Sequence, residues 1–437
     1  MTAIAHHANV AGRPARAAPV PAGRTAESVL CVLLAAYLLS LAVEGPLRYV
    51  LATAGLPDAL YLRDAIPVGS LAFLFIRSLL HGKLELAIAI PAAVLALHAA
   101  YAAVVGVGLF PIAFGLKIFM FIPYGIAMWP LVRRRWRAAL GFMCVVFAVT
   151  LAGVCLNFAV GTLPWEGLEY RTSFGPVSTT RTWWIPGGIS RLPGFTRTSF
   201  NAAMILGISG LLAMLCFRRM WAQSAIAVAA FAGIVLTTSK GMVLAFPVAA
   251  AWVVLQSFRP GSGVLLVRTL CVVTLVLPLV IVFGDASAAI AADSFPPLLM
   301  SVWERFTMMW PEAFALLPQG PAAVLGAGPG SIGTPQVYGD APHLFNAADN
   351  IAVFMLVSLG VPGVAYYALP AVGMRRLALA ERPEIARAAA AMLVIAYGYG
   401  MSISMVEESF FCVVFGMCFG AVLCAFAARP RAGGGQA

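Results

Sequence analysis

Charged side chains are scarce in this sequence. Only 10% of its 437 residues are Asp, Glu, Lys or Arg, and 62% are hydrophobic, whereas soluble proteins carry about 25% charged residues. This composition excludes a large soluble core and predicts a chain that crosses a membrane many times. The net charge of +11 requires no nucleic-acid partner, because basic loops lying on an anionic inner leaflet account for it.

Several catalytic and metal-binding motifs are also missing. The five histidines form no H-E-x-x-H and no Cys–His metal set, and there is no nucleophilic serine elbow. Glu44, Asp58 and Asp64 form no D-x-D or E-x-D pair. The sequence therefore predicts chemistry without a metal or another cofactor. All eight cysteines fall within predicted membrane spans, so none is placed to form a disulfide in an outer loop.

Long apolar runs dominate the rest of the sequence. A helix needs about 20 apolar residues to cross the hydrocarbon layer, and such runs predict 12 transmembrane helices, at 28–44, 65–80, 86–105, 109–130, 138–160, 199–217, 221–238, 242–257, 264–283, 351–372, 388–405 and 409–427. The predicted fold class is an all-α polytopic membrane bundle. Residues 1–25 and 428–437 are predicted as cytoplasmic tails, the first disordered, and 26–427 as the transmembrane domain.

Basic residues predict the orientation of these helices. With the N terminus inside, most of the 28 Lys and Arg residues fall in cytoplasmic segments, as the positive-inside rule requires. Both termini are then cytoplasmic. Two long loops, 161–198 and 284–350, lie on the outer face, and their many aromatic residues argue against disorder.

The first long loop carries four arginines on the face where the positive-inside rule disfavours them: Arg171, Arg181, Arg191 and Arg197. Arginine presents a planar fork of donors that suits phosphate. A lipid diphosphate at the outer surface would supply that ligand, so we expect at least two of the four to bind an anion. The alternative is salt bridging to Glu166, Glu169 or lipid headgroups.

The second long loop begins with a predicted helix. Its apolar residues recur at spacings of three and four and form a stripe: Trp303, Phe306, Trp310, Phe314 and Leu317. Glu304 and Arg305 lie off the stripe, and Pro311 would break or restart the helix. Either this helix lies in the outer headgroup region, or its stripe packs on the spans beneath.

Glycines follow that helix in the run Gly326–Gly328–Gly330. No strand precedes them, so a nucleotide-binding loop is excluded. Either the turn brings the backbone N–H groups of residues such as Gly328 and Gly330 to a phosphate or sugar, or it serves only the path of the chain.

Polar residues close the loop directly before the next span: His343, Asp349 and Asn350. A carboxylate or imidazole there can act as a general base toward a substrate hydroxyl. Asn350 can orient a substrate or cap the helix, and spacing alone favours a helix cap for Asp349. At another outer helix end, Lys240 adds a cation near the arginines, with snorkelling as the alternative.

These residues belong to short motifs that occur in a fixed order: Arg191–Phe195 with Asn201, Thr237–Gly241, Arg305, Trp310, Gly326–Ser331, Ala348–Asn350 and Leu359–Gly363. The series resembles the signature of the O-antigen polymerase and O-antigen ligase superfamily over about residues 190–365. Two positions depart from that pattern. Asp349 stands where the ligases typically place a histidine, and Lys240 stands where arginine is common.

The resemblance implies a bundle of the C-type glycosyltransferase class in the bacterial inner membrane. It would act at the periplasmic face on undecaprenyl-diphosphate-linked glycan donors and acceptors. A metal-independent, inverting transfer is expected. In it the diphosphate is held by basic residues: Arg191, with Arg171, Arg181 or Arg197, and with Lys240 and Arg305. Asp349, or His343 as an alternative, would deprotonate the acceptor hydroxyl.

The departure at Asp349 favours a polymerase of O-antigen or exopolysaccharide repeat units. A chain-length regulator is then a possible partner besides the bilayer and the lipid-linked glycans. A ligase that moves polymer to lipid A core is one alternative. A flippase or exporter without bond-forming chemistry is another, although transporters usually carry polar residues or broken helices at mid-membrane, and these spans are nearly free of charge.

Overall fold

A computed structural model describes residues 22–80, 86–173, 175–180, 184–185, 189–255, 263–284, 296, 299–339 and 345–427. In this part of the chain fifteen α-helices predominate: α1 Ala22–Ala42, α2 Glu44–Thr53, α3 Leu60–Leu80, α4 Leu86–Val104, α5 Leu109–Arg134, α6 Trp136–Val160, α7 Ser199–Met214, α8 Met220–Leu236, α9 Lys240–Leu255, α10 Gly263–Phe283, α11 Met300–Glu304, α12 Trp310–Ala315, α13 Ile351–Ala380, α14 Pro383–Gly400 and α15 Ser409–Ala427. The predicted all-α class is confirmed. The predicted tails lie outside the described residues, except that α1 already begins at Ala22.

Each of the 12 predicted apolar runs corresponds to one helix, and α2, α11 and α12 lie between them. Among the described residues, seven segments are long and apolar enough to cross a membrane: Thr25–Ala42, Pro57–Leu80, Leu109–Arg134, Trp136–Val160, Gly263–Phe283, Ile351–Ala380 and Ser409–Ala427. Shorter apolar helices accompany them, at Ala89–Val104, Ser199–Met214, Met220–Leu236 and Lys240–Leu255. The chain is a multi-pass membrane protein, and the number of 12 spans stays a prediction.

The two ends of the bundle differ in chemistry. One end, here called the loop end, carries the described parts of the segments 161–198 and 284–350. The opposite end, here called the basic end, carries the turns from α5 to α6 and from α13 to α14. There Arg133 donates two hydrogen bonds to Glu381, of 2.6 and 3.2 Å. This ion pair joins the ends of α5 and α13.

Glycines allow helices α5 and α15 to pack closely against each other. Gly416 and Gly420 are four residues apart on α15, and a Cβ on either would collide with the backbone of α5. Gly125 makes the reciprocal approach, because its Cβ would meet the carbonyl of Val413. Helices in lipid associate through such small-residue contacts, since burial of apolar area drives little association there.

The first long loop contains short strands that the all-α prediction did not include. Strand β1 (Glu169–Thr172) pairs antiparallel with β2 (Gly175–Ser178), and β3 (Trp184–Ile185) pairs with β4 (Ile189–Ser190). The segment after β4 is tied to the bundle at Gly194. Its N–H donates to Asn157 Oδ1 (3.0 Å), and its carbonyl accepts from Trp165 Nε1 (3.0 Å).

The predicted helix of the second long loop consists of α11, a π-helical turn at Arg305–Met309, and α12. The π turn ends at Met309, two residues before Pro311, which has no N–H to continue an α-helical ladder. Trp310 is 1% exposed and Phe314 is 7% exposed, and Phe314 contacts Phe283 of α10 edge to face. The apolar stripe therefore packs on the spans, which was one of the two interpretations.

The glycine run of the second loop fits between helices α4, α5 and α13. Gly328 lies against Ala102 of α4, and Gly330 lies against Pro111 of α5. Both glycines have positive φ angles, 92° and 98°, so a larger residue would be strained as well as obstructed. On the other side, Ala327 N–H donates to the carbonyl of Val357 (2.7 Å), just before the kink of α13 at Gly360.

Candidate active site

An ion pair between Arg305 and Asp349 lies at the loop end. Arg305 Nη2 donates to Asp349 Oδ2 at 2.9 Å, and Nη1 donates to the carbonyl of Ser301 at 2.7 Å. The side chains are 17% and 24% exposed, so the pair is largely shielded from water. The π turn carries Arg305, and Asp349 stands two residues before the first residue of α13, so two segments 44 residues apart meet here.

Asn350, and not Asp349, caps α13. Its Oδ1 accepts from the N–H groups of Ala352 (2.8 Å) and Val353 (3.1 Å), and its Nδ2 donates to the carbonyl of Thr274 (3.1 Å). The interpretation of Asp349 as the helix cap was therefore wrong. Because Asn350 is buried and uses its side chain as the cap, the carboxylate before it is available to Arg305.

The backbone that presents Asp349 is strained. Ala348 and Asp349 have φ angles of 58° and 42°, in the left-handed region that non-glycine residues rarely adopt. Asn346 holds this turn: its Oδ1 accepts from Ala348 N–H (2.7 Å), and its Nδ2 donates to the carbonyl of Met309 (2.9 Å). The turn is thus linked to the π turn that carries Arg305.

Arg191 is the third member of this site. It is half-buried, its guanidinium carbon lies 5.3 Å from the ring centre of Phe200, and its Nε has no hydrogen-bond partner in the described residues. Burial and the nearby positive charge of Arg305 lower the pKa of Arg191, while Tyr399 acts in the opposite direction. We call Arg191, Arg305 and Asp349 the arginine–aspartate cluster.

Burial acts on the carboxylate of this cluster as well. It raises the pKa of Asp349 above the ordinary value, against the lowering effect of Arg305, while Glu304 adds to the increase. A carboxylate whose pKa is raised toward neutrality is a better proton acceptor than an ordinary aspartate. The cluster thus combines a carboxylate of raised pKa with an arginine that carries no ion pair in the described residues.

Helices α9 and α14 bring further groups to the cluster. The hydroxyl of Tyr399, near the end of α14, shares a hydrogen bond of 2.9 Å with Ser239, and its electrostatic neighbours include Asp349 and Arg305. Lys240 begins α9 directly after Ser239 and is exposed. Gly241 permits the close approach of α9 to the end of α14, because a Cβ at this position would collide with Ser402.

The predicted site residues divide into groups. Arg191, Arg305 and Asp349 come together, Asn350 follows Asp349 as the helix cap, and Lys240 follows Ser239, the partner of Tyr399. Arg171 is exposed on β1, and Gly328 and Gly330 pack against helices. Arg181 and His343 lie outside the described residues. Arg197 interacts instead with Glu44 and with Glu408, a carboxylate after α14 whose pKa is raised by burial to about 7.

A second set of charges at the loop end is fully paired. Glu44 accepts from Arg48 Nε (2.7 Å) and lies 3.2 Å from Arg63, while Asp64 lies 3.4 Å from Arg63 and 2.5 Å from Lys117. We call these five residues the paired network. Burial raises the pKa of Glu44, but Arg63, Arg48 and Arg197 outweigh burial and lower it well below its usual value.

Sequence reasoning missed Tyr399, Asn346 and Glu408, and it included Ser239 only as part of the motif Thr237–Gly241. For Tyr399 and Glu408 a signal existed. The segment 399–409 is rich in small and polar residues, yet the predicted span 388–405 extended into it, while α14 ends at Gly400. Glu408 also belongs to an acidic pair that lies directly between two predicted spans at the outer end. Ionisable residues in that position indicate a functional site.

Comparison with known proteins bears on the same region. Residues 225–368, about a third of the chain, match the family model described as O-antigen ligase. Comparison with curated proteins and with solved structures gave no match. The matched segment includes Lys240, Arg305, Asp349 and Asn350, whereas Arg191 precedes it. The match confirms the resemblance to the O-antigen ligase and polymerase superfamily over this segment, and it supports a membrane transferase that acts on lipid-linked glycans.

Proposed function

We propose that this membrane protein polymerises undecaprenyl-diphosphate-linked oligosaccharide repeat units at the periplasmic face of the bacterial inner membrane. The observation that carries the proposal is the arginine–aspartate cluster. It pairs a largely shielded carboxylate of raised pKa with Arg305, and near Arg305 it holds Arg191, which has no carboxylate partner among the described residues. The family match supplies the class of substrate.

Arg191 is proposed to bind the diphosphate of the donor. A guanidinium in a half-buried site binds phosphate more strongly than one in water, because the low dielectric constant increases the attraction. Phe200 stacks on one face of Arg191 and limits its orientations. The negative charge that develops on the diphosphate as the sugar departs would then be stabilised by a positive charge already in position. Lys240 and Arg305 add positive potential nearby.

Asp349 is proposed as the general base. It would accept the proton of the acceptor hydroxyl while that oxygen attacks the anomeric carbon of the donor sugar. The bond from the anomeric carbon to the diphosphate oxygen breaks in the same step, and its electron pair leaves with undecaprenyl diphosphate. In-line attack inverts the anomeric configuration. The ion pair with Arg305 fixes the direction of the carboxylate and favours its ionised form against the effect of burial.

A ligase is the second candidate, because the matching family model is described as O-antigen ligase. The same cluster would serve a transfer of finished polymer to lipid A core. The polymerase is proposed first because this chain has an aspartate at position 349. Ligases of the family that it resembles typically have a histidine there.

The test is the surface glycan profile of a strain that lacks the gene, complemented with wild type or with Asp349→Ala. Single repeat units in the deletion strain, and no polymer with the variant, would support a polymerase with Asp349 at its site. If polymer is retained on undecaprenyl diphosphate and is absent from the final acceptor, the protein is a ligase and not a polymerase.

Asp58→Ala is the matched control, because Asp58 is an exposed carboxylate at the same end whose side chain bonds only to Ser173 in the described residues. It should restore the wild-type profile. A full polymer ladder with Asp349→Ala would contradict a base role for Asp349. Loss of all lipid-linked glycan from the outer leaflet in the deletion strain would instead indicate a flippase.

A further inference from the structure

A cavity opens at the basic end, opposite the arginine–aspartate cluster. It comprises about 930 Å³ of space that is partly open to the surroundings, between α9, α10, α13 and α14. Its polar groups are Arg375 of α13, Arg387 of α14 and the indole of Trp252 of α9. The remaining lining is apolar and includes Val264 and Leu379. None of these residues belongs to the proposed glycan site.

The two arginines of this cavity differ from the other arginines around it. Arg376 donates to the carbonyl of Ala425 (3.2 Å), and Arg268 donates to the carbonyl of Val372 (2.9 Å). Within the described residues, Arg375 and Arg387 make neither an ion pair nor a hydrogen bond. Two positive charges thus line one cavity without an anion from these parts of the protein.

Trp252 provides an independent observation. Its side chain is buried (7% exposed), and its Nε1 has no hydrogen-bond acceptor in the described residues. Gly263 packs directly against this indole, since a Cβ at that position would collide with it. A buried N–H donor without an acceptor is costly, so an acceptor oxygen is expected from a ligand of the cavity.

We infer that this cavity binds the headgroup of an anionic glycerophospholipid, with its phosphate between Arg375 and Arg387. A phosphodiester supplies the negative charge that the arginines lack and an oxygen for the Trp252 N–H. The exposed apolar side chain of Leu379 (76%) extends the site along the bilayer and accommodates an acyl chain. Basic pockets between transmembrane helices select anionic headgroups in this way, whereas free phosphate would use only the polar half of the site.

The test uses the full-length protein purified in detergent and measures retained lipid by native mass spectrometry and thermal unfolding. The probes are phosphatidylglycerol, phosphatidylcholine and inorganic phosphate. Phosphatidylglycerol is expected to bind at a 1:1 ratio and to raise the unfolding temperature. Loss of both arginines in Arg375→Ala/Arg387→Ala should weaken its binding about thirtyfold, and Trp252→Phe about fivefold.

The matched control is Arg218→Ala/Arg219→Ala, which removes the same charge from exposed arginines between α7 and α8. It should bind phosphatidylglycerol as the wild type does. Equal stabilisation by phosphatidylcholine, equal stabilisation by inorganic phosphate alone, or unchanged binding in the double variant of the cavity would each overturn the inference. If that double variant does not fold, Arg375→Gln and Trp252→Phe decide the question separately.

Discussion

The arginine–aspartate cluster and the paired network lie at the same end of the bundle and use the same kinds of side chain in different ways. In the paired network every carboxylate contacts two cations, and Arg48 and Glu44 are only 9% and 6% exposed. In the cluster a single carboxylate serves Arg305, while Arg191 has no ion pair in the described residues. The first arrangement satisfies its own charges, and the second does not.

This difference separates structural from functional charge. Breaking a buried ion pair leaves an uncompensated charge and destabilises the fold, so the paired network ties α2, α3 and α5 together. A charge that is shielded from water and has no partner is costly, and such groups concentrate at functional sites. We therefore expect substitutions in the paired network to change stability and substitutions in the arginine–aspartate cluster to change activity.

The largest effect is expected from Asp349→Asn. The amide oxygen can still accept from Arg305, so the fold should persist, but it cannot take up a proton. Loss of a general base lowers the rate about 10²- to 10⁴-fold. The measurement is glycan transfer by purified protein with a lipid-diphosphate donor. Asp349→His introduces the residue that is typical of the ligases and should recover part of the rate. A wild-type rate in Asp349→Asn would show that Asp349 is not the general base.

Arg191→Ala should lower the rate about 10²- to 10³-fold, because one preorganised positive group that stabilises the leaving diphosphate is lost. Arg191→Lys keeps the charge without the planar fork and should fall between the alanine variant and wild type. Inserted protein is quantified in parallel, together with its unfolding temperature. If both variants polymerise glycan normally, the diphosphate is held elsewhere at the loop end.

Glu44→Gln should show the opposite pattern. Arg48 and Arg63 would lose the carboxylate between them, at a cost of about 3 kcal/mol of folding free energy, and the folded fraction should keep its rate per molecule. Because the pKa of Glu44 is lowered in the folded state, this stabilisation is present above the unfolded pKa and is lost as pH falls through the folded one. Thermal unfolding between neutral and acid pH measures it.

Asp58→Asn provides the comparison for that variant, since Asp58 is an exposed carboxylate hydrogen-bonded to Ser173. Exposed polar contacts contribute little, so its unfolding temperature should stay close to wild type. A large loss of transfer rate per folded molecule in Glu44→Gln would assign the paired network a role in the reaction.

Much of the fold could be predicted from the sequence, because lipid imposes one strong rule. Every predicted apolar run proved helical, since a backbone in hydrocarbon must satisfy its own hydrogen bonds. The ends of the runs were less predictable. Apolar and small residues continue past Gly400, and hydropathy does not show where the helix stops. The short strands of the first long loop depend on local turns and gave no hydropathy signal.

The sequence predicted which residues belong to the site, but not which of them contact each other. Order along the chain indicated Arg191, Arg305 and Asp349, but spacing could not decide which of two adjacent residues caps α13. Asn350 caps the helix, and the strained turn at Ala348 and Asp349 places the aspartate in an ion pair with Arg305. Likewise, Arg197 interacts with Glu44 and Glu408 through tertiary contacts, and no local pattern encodes these contacts.

The smallest effect concerns pH and the ion pair within the cluster. Asp349 must be ionised to accept a proton, so activity should rise with pH as its carboxyl group, whose pKa is raised above 3.8, loses its proton. Arg305 lowers that pKa. In Arg305→Gln the acid limb of the rate profile, normalised to its own maximum, should therefore move upward by about one pH unit or more. Arg376→Gln, at the basic end, should leave the limb in place. If the limb does not move in Arg305→Gln, Asp349 is not the group whose ionisation limits the rate, and the cluster would bind the donor without supplying the base.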